Sequence, residues 1–324
     1  MRVAVVGIGK MGLLHASILN FLPDVKLVAL CDRSSMILRF AKKIFRPTGV
    51  KILKDVKSLS GLDLDVVYVT TPISSHSIIV NELLGKAIAS NIFVEKTLAS
   101  SYDEARCLCD LVQSHKSVNM VGYMKRFAVT FRKANDLLQR KSLGDVSSFD
   151  AYAYSSDFVG LGSNLRGPAP RGGALRDLGC HVIDLALWFF GDLRVDSAKP
   201  ESQVREAPAD LVSFGVTRSD GLRGRFCVSR SMENYRMPEI GLSITGSEGT
   251  LRVNDDRVDL KLKDGETSTW YRHDLGDNVA FALGEAEYFR EDQHFINSVL
   301  EGRFAQPDFC TAAKVERVID QVRV

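Results

Sequence analysis

Short apolar runs alternate with stretches of helical period along the first third of the chain. The runs are four to seven residues long and rich in Val, Ile, Leu and Phe, which is typical of strands buried on both faces. Such alternation predicts a parallel, doubly wound α/β sheet for residues 1–122. The predicted strands are 2–6, 25–31, 50–53, 65–70, 91–96 and 117–121, with helices after residue 12 and at 34–45, 74–86 and 101–114.

The pattern changes after residue 122. A helix at 130–139, a strand at 146–154 and a helix at 174–190 precede several strands that are joined by short turns. Consecutive strands with short turns predict a large, mostly antiparallel open sheet. We therefore expect a second α/β domain over residues 123–324, whose last helix, 310–322, is a candidate to pack back on the first domain. The later strands are predicted at 211–216, 222–229, 239–245, 250–254, 258–262 and 269–273, followed by a helix at 284–300.

A broad open sheet needs a cover on its far face, and a second copy of the chain is the usual cover where no third layer follows. We therefore expect a homodimer or homotetramer that associates through the second sheet.

A glycine-rich turn follows the first predicted strand. Gly7, Gly9 and Gly12 have G-x-G-x-x-G spacing, with Lys10 and Met11 between the last two glycines. After a strand and before a helix, this spacing lets bare backbone approach a pyrophosphate and directs a helix N-terminus at it. The setting predicts a dinucleotide-binding Rossmann unit.

Asp32 follows the second strand, twenty residues after Gly12. A carboxylate at this place accepts hydrogen bonds from the adenosine ribose and repels a 2′-phosphate, which favours NAD. The neighbouring Arg33 offers a partner for that phosphate, so NADP stays possible.

Polar residues also close two later strands of the first domain. Thr71 and Pro72 follow the fourth strand, and His76 lies four residues past the proline. Glu95 and Lys96 close the fifth strand. Because strand carboxyl ends line the ligand crevice of this fold, we expect these residues near the cofactor. A surface histidine and a solvated lysine are the plain alternatives.

A second polar cluster lies on the predicted helix of residues 174–190. Asp177, His181 and Asp184 follow one another at intervals of four and three, on one face of an α-helix. An Asp that orients an imidazole is the arrangement that a general base needs. The alternative is an ordinary helix whose polar face meets solvent.

Composition excludes several classes of protein. The chain has 324 residues, 45% hydrophobic and 25% charged, with a formal net charge of +2, so nothing indicates binding to nucleic acid or an anionic membrane. The first strand starts at residue 2, and no apolar stretch is long enough to span a bilayer. We expect a cytoplasmic protein.

The six cysteines are expected to be reduced and mostly buried. They include no C-x-x-C pair and no Cys/His set at zinc-site spacing, so we predict no metal site and exclude a zinc alcohol dehydrogenase.

These motifs occur together and in order, and the chain resembles the glucose–fructose oxidoreductase / inositol 2-dehydrogenase (Gfo/Idh/MocA) family of NAD(P)-dependent sugar dehydrogenases. The resemblance covers essentially the whole chain. It is carried by the glycine motif, Thr-Pro-x-x-x-His at 71–76, Glu-Lys-x-Leu at 95–98, the segment 122–127, Gly-Gly-x-x-x-Asp-x-Gly-x-His-x-x-Asp at 172–184, and Ile-Thr-Gly-Ser-Glu-Gly-Thr-Leu at 244–251.

The resemblance implies a role for several residues. Lys96 matches the catalytic lysine, Asp177 and His181 match an acid/base dyad, and Lys125 and Asp184 match positions that often touch substrate. It also implies reversible oxidation of a secondary ring alcohol, with the hydride passing to nicotinamide. Thr97 stands where the family usually has proline. The peptide bond between Lys96 and Thr97 is therefore expected either to become trans or to stay cis.

The substrate class stays open at the sequence level. Arg166 and Arg171 precede the 174–190 helix, and two arginines beside a pocket suit a phosphate or carboxylate, as in a UDP-sugar. Solubilising arginines, with a free sugar or an inositol as substrate, are the alternative. Two further readings are a non-catalytic NAD(P)-sensing protein on the same fold and an enzyme with tightly retained cofactor that couples an oxidation to a reduction.

Overall fold

The computed structural model describes residues 1–45, 49–157, 173–199, 211–277 and 286–323. The chain divides into two compact units. The first comprises Met1–Met124 with Val279–Glu316, and the second comprises Lys125–Asn278 with Arg317–Val324. No helix in the described ranges is both long enough and apolar enough to cross a membrane.

The first unit is built on a six-stranded parallel sheet of order β3-β2-β1-β4-β5-β6. Its central strands are buried along almost their whole length, so helices cover both faces, as the apolar runs predicted. The strands are β1 Arg2–Val6, β2 Lys26–Cys31, β3 Lys51–Leu53, β4 Leu64–Val69, β5 Ala89–Glu95 and β6 Asn119–Gly122, and the helices are α1 Lys10–Phe21, α2 Ser35–Phe45, α3 His76–Gly85 and α4 Tyr102–Ser114.

The position of β1 determines where a ligand binds in such a sheet. Its neighbours are β2 on one side and β4 on the other, so the chain reverses its direction of winding between them. Ligands of open parallel sheets bind outside the carboxyl ends of the strands at this reversal. The ends of β1, β2, β4 and β5 are therefore the places to look for a site.

The second unit is built on an eight-stranded sheet of order β14-β13-β12-β11-β7-β10-β9-β8, in which only the β7–β10 pair is parallel. The sequence pattern did not predict β8. The strands are β7 Val146–Tyr154, β8 Arg194–Lys199, β9 Val212–Thr217, β10 Arg223–Ser229, β11 Glu239–Gly246, β12 Gly249–Asn254, β13 Arg257–Leu262 and β14 Thr267–Tyr271, and the helices are α5 Val129–Gln139 and α6 Cys180–Phe190.

One face of the second sheet is its core. Phe149 on β7 stacks on Phe190 of α6 with ring centroids 4.5 Å apart and meets Phe226 of β10 edge-on. Tyr152 and Tyr154, which alternate with the core residues of β7, are half-buried on the opposite face. The fold class is confirmed, while association of copies through this opposite face stays a prediction.

The sequence assigned α7 (Ala286–Leu300) to the second domain and made the last helix, α8 (Phe309–Arg323), a candidate to pack back on the first. The structure assigns α7 and the first half of α8 to the first unit. Packing explains this: α7 lies against α1, where Phe289 meets Phe21 edge-on with ring centroids 6.2 Å apart.

The expectation of six reduced, mostly buried cysteines is wrong. Cys109 of α4 and Cys310 of α8 form a disulfide, with their Cα atoms 5.1 Å apart and a sequence separation of 201. Cys107 is exposed. A pairing over such a distance in sequence leaves no local signal.

Candidate active site

The glycine turn is shaped by two close backbone approaches. Gly7 has a φ of +96° and its N–H donates to the carbonyl of Cys31 at 2.8 Å. A Cβ on Gly7 would lie 2.8 Å from Thr71, and a Cβ on Gly12 would lie 1.8 Å from the carbonyl oxygen of Gly7. Both positions therefore exclude a side chain, because the turn and the start of α1 leave no room for one.

Gly9 differs from these two glycines. A Cβ there would meet no atom within 4 Å, so the backbone is bare toward open space at the N-terminus of α1. Lys10 is exposed and Met11 is half-buried beside it. This open side of the turn fits a pyrophosphate, which needs close backbone approach and free helix N–H groups.

Asp32 lies at the end of β2, beside the glycine turn. One carboxylate oxygen accepts from the Ile8 N–H at 2.7 Å, and the other accepts from the Ser34 N–H at 2.8 Å. The side chain is half-buried, and Arg33 is exposed. The carboxylate is thus fixed where an adenosine ribose is expected.

We expect Asp32→Asn to weaken NAD binding by about 10-fold to 100-fold, because a hydrogen bond to a charged group contributes about 1.5–3 kcal/mol. The asparagine oxygen keeps the contact with the Ile8 N–H, so the turn is expected to survive. NADP binding should suffer less, because the repulsion of a 2′-phosphate is removed. Titration with both dinucleotides checks this result, and equal losses for the two would remove Asp32 from the ribose contact.

The end of β4 is tied to the glycine turn, since the Thr70 hydroxyl donates to the carbonyl of Gly7 at 2.6 Å. Thr71 is half-buried and Pro72 is exposed at this end.

His76 is neither at the surface nor open to a cofactor. Its ring is fully buried, with Nε2 2.8 Å from the carbonyl oxygen of Thr71 and Nδ1 3.1 Å from that of Thr97. Burial lowers its pKa, and the ring joins the ends of β4 and β5.

Glu95 and Lys96 at the end of β5 have different surroundings. The Glu95 carboxylate is buried, accepts from the backbone N–H of Lys96 at 3.0 Å and lies 3.0 Å from Nε2 of His15. It therefore faces the protein interior, in contrast to the expected cofactor contact. Lys96 is half-buried, and the bond between Lys96 and Thr97 is cis, which is one of the two geometries expected for a residue in place of proline.

The helix that carries Asp177 and His181 is not uniform. Leu175–Gly179 form a π-helical turn, and the α-helix α6 begins at Cys180. A π turn adds a residue to the local repeat, so the spacing of four between Asp177 and His181 is not that of a regular α-helix. Such turns are frequent at functional sites. Asp177 is half-buried and His181 is buried.

Two residues expected to touch substrate are held by other side chains. Asp184 is 1% exposed, and both its oxygens accept from Arg126, at 2.7 and 2.6 Å. Burial raises its pKa, and Arg126 opposes that shift. The Lys125 ammonium lies 2.8 Å from a carboxylate oxygen of Asp255. The structure thus places both expected substrate residues in buried ion pairs, because the β12–β13 turn and the 124–127 segment supply partners that the sequence did not reveal.

Arg230 was not expected at the site. It is buried, and its Nη1 lies 3.4 Å from a carboxylate oxygen of Asp177. No motif marks Arg230, since it only follows a strand. The expected Arg166 and Arg171 lie outside the described residues.

Comparison with known proteins adds to this geometry. Residues 1–123 match the model of an oxidoreductase family with an NAD-binding Rossmann fold, and residues 131–252 match the GFO/IDH/MocA C-terminal domain. An uncharacterized oxidoreductase of Schizosaccharomyces pombe is 26% identical over 65% of this chain and 57% of its own length. The inositol 2-dehydrogenase of Rhizobium meliloti is 23% identical over 94% of this chain and 91% of its own length.

Among solved structures, levoglucosan dehydrogenase in complex with NADH and levoglucosan superposes with a TM-score of 0.83. Its sequence is 21% identical to this chain, and the match covers 100% of this chain and 97% of the other. At that identity the likeness shows the fold.

Proposed function

Because both family matches fall on one chain, this protein belongs to the GFO/IDH/MocA family of NAD-dependent oxidoreductases, and we propose that its substrate is a sugar or inositol oxidised at a secondary ring hydroxyl. The glycine turn, bare at Gly9 and flanked by the fixed carboxylate of Asp32, supports the dinucleotide-binding part of the proposal. The names of the relatives, an inositol dehydrogenase and a levoglucosan dehydrogenase, support the substrate class.

The residues have separate tasks in the proposed reaction. The turn of Gly7, Gly9 and Gly12 holds the pyrophosphate, and Asp32 holds the adenosine ribose. When bound, NAD supplies the hydride acceptor. Lys96 donates a hydrogen bond to the substrate oxygen, which stabilises negative charge there as the hydroxyl proton leaves.

His181 accepts that proton in the proposed reaction. A histidine is suited to the task because its ordinary pKa lies near neutrality, so it both takes and returns a proton. Asp177 is proposed to orient the imidazole, and its carboxylate lies 3.4 Å from Nη1 of Arg230. Asp177 lies within the π-helical turn at Leu175–Gly179.

A substrate panel tests the proposed function. We expect at least one free sugar or inositol to reduce NAD. The absorbance of the reduced nicotinamide measures this reaction. Sugar phosphates and UDP-sugars belong in the same panel. Turnover on a UDP-sugar alone would overturn the proposal of a free sugar or inositol and would favour the hypothesis that Arg166 and Arg171 bind a phosphate. Protein carrying Lys96→Ala, purified in parallel, controls for contaminating dehydrogenases. Cofactor that stays bound through purification, without turnover on any single substrate, would favour coupled oxidation and reduction.

A further inference from the structure

A buried histidine lies between two carboxylates in the first unit. His15 is on the inward face of α1 and is 0% exposed. Its Nδ1 lies 2.8 Å from a carboxylate oxygen of Asp292 on α7, and its Nε2 lies 3.0 Å from a carboxylate oxygen of Glu95. These three side chains come from parts of the chain up to 277 positions apart.

Both nitrogens of His15 face carboxylate oxygens, an arrangement that favours the doubly protonated imidazolium. Burial alone lowers the pKa of His15, but Asp292 and Glu95 outweigh it and hold the pKa well above its ordinary value. Rings of Tyr68, Phe93 and Tyr288 surround the imidazolium, with centroids 5.5, 5.1 and 6.0 Å away. The cation is thus enclosed and fixed in orientation.

Glu95 connects His15 to the backbone of Lys96. Glu95 uses one oxygen for His15 and the other for the backbone N–H of Lys96, at 3.0 Å. Glu95 is buried, so the surrounding packing limits its movement. A continuous chain of hydrogen bonds therefore joins α7, α1 and the backbone at Lys96.

The same cluster resembles a metal site, since Glu291 lies beside His15 and Asp292. A metal ligand needs a nitrogen lone pair, whereas each ring nitrogen of His15 lies within 3.0 Å of a carboxylate oxygen that can accept a hydrogen bond. The geometry is that of an ion pair with hydrogen bonds at both ends.

We propose that His15 is a positioning residue for Lys96: it holds Glu95, and Glu95 holds the backbone from which the lysine side chain extends. The inference rests on the proposed function in one respect, namely that Lys96 acts on the substrate. The structural link itself lies entirely within the first unit and does not depend on the identity of the substrate.

The test measures the chemical reactivity of Lys96 together with turnover. In His15→Gln, the cation is lost and a single amide nitrogen replaces two ring nitrogens that face different carboxylates, so the hold on Glu95 is weakened. An amine-acylating reagent modifies accessible lysines, and peptide mass spectrometry measures the rate for each one. We expect the rate at Lys96 to rise severalfold relative to the rate at Lys86 in the same digest. We expect kcat to fall by about 10²-fold, as small misplacements of catalytic groups do, with NAD affinity within a few-fold.

Two further variants keep the test decisive. Asp292→Asn keeps an oxygen for His15 but removes a buried charge, and it should shift the reactivity of Lys96 in the same direction even if His15→Gln does not fold. Ser17→Ala is the matched control on α1, because within the described ranges the Ser17 hydroxyl donates to the carbonyl of Leu13 in its own helix. Ser17→Ala should change neither the modification rate of Lys96 nor kcat.

Unchanged reactivity of Lys96 in folded His15→Gln or Asp292→Asn would overturn the inference and leave a purely structural ion pair. Failure of the proposed function gives a different result. In that case Lys96→Ala keeps full turnover, whereas the reactivity of Lys96 still responds to His15. The two hypotheses are therefore separable in one set of proteins.

Discussion

Lys96→Ala and His181→Ala are each expected to lower kcat by about 10²-fold to 10⁴-fold, the range that positioned acid and base groups contribute. In the proposed reaction, the alanine at 96 leaves the substrate oxygen without its hydrogen-bond donor, and the alanine at 181 removes the proton acceptor. The affinity for NAD should stay within a few-fold, because the glycine turn and Asp32 are unchanged. Steady-state kinetics and NAD titration measure both quantities.

The chain offers matched controls for these two variants. Lys86 forms an exposed ion pair with Glu82 one turn away on its helix, and such pairs contribute little, so Lys86→Ala should leave kcat unchanged. His273 is at the surface beside Asp274 and serves in the same way for histidine. Loss of NAD binding in both active-site variants, with intact thermal unfolding, would mean that Lys96 and His181 belong to the cofactor site and not to the chemistry.

Gly9→Asp is expected to lower NAD affinity by at least about 10²-fold without unfolding the protein. Gly9 has a φ of −74°, and a Cβ there meets no atom within 4 Å, so an aspartate fits the backbone and the space. Gly9 is also the N-cap of α1, a position that aspartate favours. The added carboxylate enters the region proposed for the pyrophosphate, where like charges cost several kcal/mol.

Isothermal titration and thermal unfolding separate the two effects of this substitution. Gly85 at the end of α3 also has open space around a Cβ, so Gly85→Asp introduces the same charge elsewhere on the first unit. It should bind NAD like the unmodified protein. Normal NAD affinity in Gly9→Asp would place the pyrophosphate elsewhere.

Local motifs explain why much of the first unit is predictable from sequence. Gly7, Gly9, Gly12 and Asp32 lie within one strand–helix–strand segment, and the spacing alone places them at one edge of the sheet. The apolar runs likewise predict the central strands, because a strand buried on both faces has few polar positions.

Contacts between distant parts of the chain explain why other features of the site could not be predicted from the sequence. Asp184 appears in sequence as a free carboxylate on a helix face, but Arg126 approaches it from 58 positions away and binds both oxygens. Nothing local to His15 indicates Asp292. The π-helical turn escapes prediction for a different reason: its residues have the same apolar pattern as an ordinary helix, and only the hydrogen-bond geometry separates the two.

The disulfide between α4 and α8 has a consequence for the integrity of the chain. Cys109 and Cys310 enclose a loop that contains most of the second unit. The exposed turn at Lys263–Gly265 lies inside this loop and offers a protease a site of attack. A polypeptide that is cut once there remains a single covalent molecule, and its two fragments separate only after denaturation together with a reductant. Damage at that turn therefore adds only one water molecule to the mass of the oxidised protein, and the two fragments appear separately once the denatured protein is reduced.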